Sequence, residues 1–338
     1  RRLITLGATP FLQSFFWKNF SIAGPGIADA LLGQLAIWAG ARAIPNALSA
    51  RPQPAWRGEA LALAALIASL ALPRANAMPT LLPMGGALVL ILLTRRVTEA
   101  DTPASGIRAA IAWGLVAAWL IGLRISNAPF PAVLWLVGAL AAALRKDRQQ
   151  GLRLAVAALA TLVGLLPWSF ALWRSSGTPL FPLIHGNYHP GDSLPATVDF
   201  PGILDFAGDC LWTNHVWIIV AIGAVAALRP AVRLLSIQVS AALLLLVTVT
   251  AVMADGGQTV DSLSIHRYSA PFLVAGLVIF AGSLLVTDAG ARLGRLGPLL
   301  LWVGLTLWLL IPMALRLSLE EPYRITNFGL INRSAALA

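Results

Sequence analysis

The sequence predicts an all-α fold, a polytopic transmembrane helix bundle of about eleven membrane helices with outer-side loops forming a site. Three observations predict it. Hydrophobic residues make up 58% of the 338-residue chain and charged residues only 11%. With a mean hydropathy of +0.79, that is too little polar surface for a water-soluble domain of this length. Apolar runs of 16 to 20 residues recur along the chain, close to the roughly 20 helical residues that cross a hydrocarbon core about 30 Å thick. Strands of a membrane barrel would alternate in hydropathy rather than run continuously apolar. Finally, the connections between runs alternate in charge.

Read from apolar runs and their flanks, the expected crossings are 3–19, 27–44, 58–73, 78–94, 109–123, 130–144, 154–173, 212–228, 234–253, 268–287 and 297–315. One set of connections holds Arg1, Arg2, Arg42, Arg51, Arg57, Arg95, Arg96, Arg108, Arg145, Lys146, Arg148, Arg153, Arg229, Arg233, Arg292 and Arg295. These are 16 of the 24 Lys and Arg residues, against five acids; the opposite set has eight basic residues and nine acids. The positive-inside rule therefore assigns the first set to the cytoplasm and the second to the periplasm. A single membrane domain spans 1–316, with 175–211 a periplasmic loop and 254–267 a second outer loop, and residues 317–338 form a periplasmic C-terminal tail.

The net charge of +10 is dispersed over short turns at the membrane surface. Topology and anionic headgroups account for it, and nucleic acid is excluded as a partner. The single cysteine, Cys210, allows no intrachain disulfide and reads as a small buried residue. No repeat of about 20 to 50 residues, no low-complexity linker and no soluble domain of useful size stands out.

Polar chemistry gathers on the outer side. After the helix ending PWSFALWR (Pro167 to Arg174) come His185, His189, Asp192, Asp199, Asp205 and Asp209, with His215 just beyond. His185 and His189 have a helical ligand spacing, but Gly186, Pro190 and Gly191 oppose a helix there, so no metal site is assigned. The run GTPLFPLIHGNYHPGDSLP is rich in turn formers and predicts an ordered surface loop with room for a short interfacial helix. Asp29, at the start of the second crossing, is either a helix cap or a working carboxylate at the membrane surface. Arg124, in IGLRISNAPFP, either snorkels to water or offers its donor fork to a phosphate. His266, Arg267 and Tyr268 are either an interfacial anchor or, with Asp255 and Asp261, a phosphate clamp with proton-transfer groups. Trp17, Trp168, Trp173, Trp212 and Trp217 fall near the expected outer interface as belt residues.

Three of these segments carry a resemblance. The run LLPWSFALWRSSGTPLFPL (Leu165 to Leu183) resembles the helix-to-loop element of bacterial polytopic glycosyltransferases of the GT-C class, with Thr178 where an Asn is usual. GPGIADALLGQLAIWAG resembles that class's second outer-loop element, in which an Asp opens a helix, and HRYSAPFL (His266 to Leu273) resembles its late Arg-Tyr element. The resemblance covers most of the chain, through short and degenerate motifs.

It implies an inner-membrane enzyme of the cell envelope that passes a sugar from a polyprenyl-phosphate donor to a periplasmic acceptor by inverting displacement. In that reading Asp29 has a supporting catalytic role. Arg124 and Arg267 bind phosphate, while Arg174, His185 and His266 position substrate. No cofactor is required, though a divalent metal is left open. The class carries an essential acid in its first outer loop, and no acid precedes Asp29 here. The expectation is that about two helices and that loop stand ahead of Arg1. The rival reading is a non-catalytic accessory subunit of a larger membrane complex, with the tail from Glu320 to Ala338 lying along a partner. A transporter ranks last, because Gln34 and Gln238 are the only notable mid-helix polar groups.

Overall fold

The computed structural model describes residues 24–49, 52–70, 80–99, 102–179, 200–213, 215–255 and 262–285. Among them every regular element is helical and no strand occurs. In chain order the helices are α1 (Gly24–Leu48), α2 (Ala55–Leu70), α3 (Leu81–Thr98), α4 (Pro103–Leu123), α5 (Pro129–Arg145), α6 (Arg148–Ser176), α7 (Phe200–Thr213), α8 (Val216–Ala227), α9 (Arg233–Asp255) and α10 (Ser262–Leu285). A 3-10 turn, Ile125–Asn127, joins α4 to α5. The expected crossings from 27–44 to 268–287 each fall on a helix. Those at 3–19 and 297–315, and the tail, lie outside the described residues.

Local sequence explains where the helices begin and end. The Thr102 hydroxyl accepts the Ser105 N–H at 3.3 Å, and Pro103 follows in the first turn of α4, where its missing N–H costs nothing. Lys146, left-handed at φ 55°, ends α5. Asp147 then begins α6 by accepting the Gln150 N–H at 3.0 Å. Gly177 closes α6 at φ 77°, a conformation glycine adopts freely.

Five helices among the described residues are long and apolar enough to cross a membrane, or six if the bent pair α7 and α8 is one span. α2, with 16 residues, and α8, with 12, are short of the roughly 20 a crossing needs. α1 is long enough but is diluted by Asp29, Gln34, Arg42 and Asn46. The far end of the 175–211 segment is helical from Phe200 onward as α7. Its turn formers stop at Pro195, and FPGILDFAGDCLWT has an apolar face to bury.

The helices alternate in direction. Gly33 of α1 sits against Leu81 and Gly85 of α3 against Ala36, so α1 and α3 run parallel. Gly114 of α4 meets Ala157 and Ala160 of α6, and Gly164 meets Ala118, so that pair is parallel too. The Arg42–Glu59 ion pair (2.8 Å), the Arg153 Nη1 to Val97 carbonyl bond (3.3 Å) and the Arg229 Nη1 to Ser283 carbonyl bond (2.6 Å) all lie at one end. That end carries the arginine-rich connections, and Asp29, Arg124, Tyr268 and the close of α6 stand at the other. Burial lowers the pKa of Arg229 from its ordinary value.

Close approach holds the bundle together. A Cβ on Gly114 would stand 2.5 Å from the Ala160 Cβ, and one on Gly164 would stand 2.7 Å from that of Ala118. Buried polar side chains reach across helices: Trp113 Nε1 donates to Thr94 Oγ1 at 2.8 Å, Trp135 Nε1 to the Leu154 carbonyl at 2.8 Å, and Gln238 Nε2 to the Leu134 carbonyl at 3.0 Å. Each contributes about 0.6 kcal/mol on average in such a setting. Of the five long apolar helices α3 is the most enclosed, 67% buried, and α6 the least, 11% buried; α10 is buried throughout 269–283. Leu159, Leu162, Val163, Leu166, Phe170 and Trp173 of α6 are exposed, a continuous apolar face suited to hydrocarbon.

Gly114→Leu should therefore force α4 and α6 apart and destabilise by about 3 kcal/mol or more. Gly151→Ala, inside α6 where an added Cβ meets nothing within 4 Å, should hold or raise stability, by up to about 1 kcal/mol. Thermal unfolding of detergent-purified protein checks both; equal midpoints for the two variants would refute the close-packing account.

Candidate functional site

The end opposite the arginines gathers the polar groups on which chemistry could rest. Arg124 follows α4 with an extended backbone (φ −162°, ψ 131°). Its N–H donates to the Leu120 carbonyl at 3.3 Å, and its carbonyl accepts the Asn127 N–H at 3.0 Å. Asn127, only 4% exposed, also turns its side-chain amide onto the Leu120 carbonyl at 3.0 Å. The Ile-Ser-Asn turn thus pins the backbone that carries Arg124.

Its guanidinium carbon lies 3.5 Å above the centroid of the Tyr268 ring on α10. At that distance the contact is a cation–π interaction between the two helices. Next to it, the fully buried rings of Phe130 and Phe272 stand 4.8 Å apart. They bring the start of α5 against α10 at this end of the bundle. The Ser126 hydroxyl is buried and has no hydrogen-bond partner among the described residues.

Asp29 is the sixth residue of α1, not a cap on it. Its carboxylate instead crosses to α3: Oδ2 accepts the N–H groups of Thr80 (2.9 Å) and Leu81 (3.2 Å), and Oδ1 accepts that of Leu82 (2.9 Å). Thr80, at the N-cap position, makes no side-chain capping bond of its own. Orphan donors at a helix start need an acceptor, and the macrodipole favours an anion there. The sequence expectation of a structural cap is met on a neighbouring helix rather than on its own.

Arg174 is exposed in the last turn of α6, its guanidinium carbon 5.9 Å from the Phe170 ring centroid. Because α6 runs parallel to α4, Arg174 and Arg124 share one end of the bundle. His266 and Arg267 precede Tyr268 on α10 and so belong to the same end. His185, with His189, Asp192 and Asp199, lies outside the described residues. Asp205 and Asp209 are exposed on α7, and Cys210 is buried between them and the bundle. No group of three His, Cys, Asp or Glu among the described residues is arranged to hold a metal ion.

Sequence reasoning named Arg124 and Tyr268 separately and missed that they stack. It also missed Ser126, Asn127 and Thr80. The Ser-Asn pair ahead of Pro129 was the available signal, since such residues favour tight turns before a helix.

No protein-family profile, no curated protein and no solved structure matches this chain. The fold and the geometry of this end therefore carry the functional reading by themselves.

Asp29→Ala leaves three amides at the start of α3 without their acceptor and should cost about 2 kcal/mol. Asp29→Asn, which keeps one oxygen acceptor, should cost less. Amide exchange at residues 80–82 should accelerate in Asp29→Ala; unchanged exchange there would mean the cap carries no weight.

Proposed function

We infer that the protein is a membrane glycosyltransferase, its site on the periplasmic side of the bacterial inner membrane and its full bundle about eleven crossings. The donor would be a sugar on a polyprenyl phosphate. The observation that carries this reading is the Arg124–Tyr268 stack, a guanidinium held at 3.5 Å on an aromatic ring at the end of an apolar bundle where a lipid-linked phosphate would lie. A guanidinium held on an aromatic ring keeps its position at this end of the bundle, and its fork of donors is the shape that matches phosphate oxygens.

In the displacement, an acceptor hydroxyl bonds to the anomeric carbon as the bond from that carbon to the phosphate oxygen breaks. The hydroxyl proton passes to a base, and the polyprenyl phosphate leaves as an anion. Arg124 and Arg267 would stabilise that anion, while Arg174, His185 and His266 orient the sugar. Asp29 supports the site by holding the start of α3 in place. Acceptor and sugar are not specified by these residues.

One observation favours a second reading, a non-catalytic accessory subunit of a larger membrane complex. The carboxylate of Asp29 is occupied by three backbone N–H groups, as suits a structural residue.

Transfer assays with a polyprenyl-phosphate-linked sugar separate the two. Arg124→Ala should lower transfer about 100-fold, the scale for losing one donor to a developing anion. Arg124→Lys should recover part of it, and Tyr268→Leu should resemble a loosened Arg124. Full activity in Arg124→Ala and Arg267→Ala would remove the assigned site. Absence of activity in the unaltered protein, with fixed-stoichiometry co-purification in a complex, would favour the accessory role.

A further inference from the structure

α7 and α8 carry an arrangement that neither the bundle nor the proposed site uses. α7 has 14 residues and α8 has 12, about 21 and 18 Å long at 1.5 Å per residue. They meet at a bend of 71°, at His215, whose backbone is left-handed at φ 55°. Neither helix alone reaches across a hydrocarbon core of about 30 Å.

The face of α7 turned from the bundle is sorted by chemistry. Ala207 and Cys210 are buried, 3% and 0% exposed, with Phe206 and Leu211 packed beside them. At about 100° per residue, the exposed arc runs from Leu204 through Gly208 to Trp212, then to Asp205 and Asp209. Leu204 is 66% exposed, Trp212 is 68% exposed, and both aspartates are exposed. One flank is thus apolar, the other carries two carboxylates, and an indole marks the boundary. Across the bend, Trp217 stacks on Trp212 with ring centroids 5.4 Å apart.

We propose that α7 lies in the headgroup zone of the bilayer as an interfacial helix, its Leu204 flank against acyl chains, Asp205 and Asp209 in water, and the Trp212–Trp217 pair at the boundary. The occupant of the exposed face is the lipid surface itself. Two arguments select it. A broken span would drag both carboxylates into hydrocarbon, at a cost of several kcal/mol each. A helix wholly in water would leave Leu204 and Trp212 solvated beside an apolar bundle whose other exposed faces suit lipid. The inference rests on the membrane reading of the bundle, and α7, packed on α9 and α10, would edge the site along the bilayer surface.

The test uses the full chain in lipid nanodiscs with Cys210→Ser as background. Single changes Leu204→Cys, Asp205→Cys, Asp209→Cys and, as a lipid-facing control on α6, Leu166→Cys are exposed to a membrane-impermeant maleimide. Both aspartate positions should react at least about tenfold faster than Leu204→Cys and Leu166→Cys, as an interfacial helix requires. In the otherwise unaltered chain, Trp212→Phe should lower the fraction of tryptophan emission quenched by lipids brominated near the carbonyls. That measurement holds even if a cysteine variant fails to fold. Labelling of Leu204→Cys as fast as Asp205→Cys, with Leu166→Cys protected, would place α7 in water and overturn the inference alone. No reaction at either aspartate position would make the pair a broken span. Rapid labelling of Leu166→Cys would overturn the membrane reading itself.

Discussion

Close backbone approach is the constraint on which the rest of this bundle depends. In a hydrocarbon surround, helices whose outer faces are apolar would gain nothing from hiding those faces, and association would come from contact at short range and from hydrogen bonds between helices. The chain meets this with small residues where axes cross: Gly33 and Gly85 between α1 and α3, and Gly114 and Gly164 between α4 and α6. The glycines come in matched positions on both partners, which sets register as well as distance. With α1 registered on α3 and α4 on α6, the ends of four helices are fixed, and the polar residues at those ends take their places as a consequence.

The two ends then use polarity differently. At the arginine-rich end, guanidinium groups bond to the carbonyls that helix C-termini leave unsatisfied: Arg153 to Val97, Arg229 to Ser283. A cation beside such carbonyls is also favoured by the helix dipole. At the opposite end the helix start of α3 offers N–H groups instead, and one carboxylate, Asp29, takes three of them. Each end thus carries the charge that its helix termini call for. Arg124 is the departure, a cation placed at the end of α4 whose guanidinium meets an aromatic ring on another helix.

Helix positions were legible because apolar runs bounded by Arg, Pro and Gly report them directly, and the alternation of basic connections predicted the segregation seen between Arg42, Val97 and Ser283. What resisted reading was chemistry across long separations. Asp29 looked like a cap because it follows Gly-Pro-Gly, yet its acceptor role lies 51 to 53 residues away, on a helix whose own Thr80 fails to cap it. Arg124 pairs with Tyr268 on another helix, and no local pattern encodes which aromatic a guanidinium will meet. α7 was obscured by its neighbours: turn formers up to Pro195 dominate the segment, and only the period of Phe206, Ala207, Cys210 and Leu211 betrays a buried face.

The Arg124 stack also constrains how any anion could bind there. A guanidinium free to move would follow a phosphate out toward headgroups, and its long side chain would lose rotamer freedom on binding. Fixed on Tyr268, it has already lost that freedom, so more of the electrostatic attraction remains as binding. The ring covers one face and excludes water from it, which strengthens the charge seen along the remaining edges. Tyr268 stands next in the chain to Arg267, so one helix start brings the second cation with it. The guanidinium on α4 and the ring on α10 thus join two helices at this end of the bundle. Movement of α10 relative to α4 would change that contact, and the packing of α10 on α1, α2, α3, α8 and α9, with Phe272 against Phe130, is what resists it.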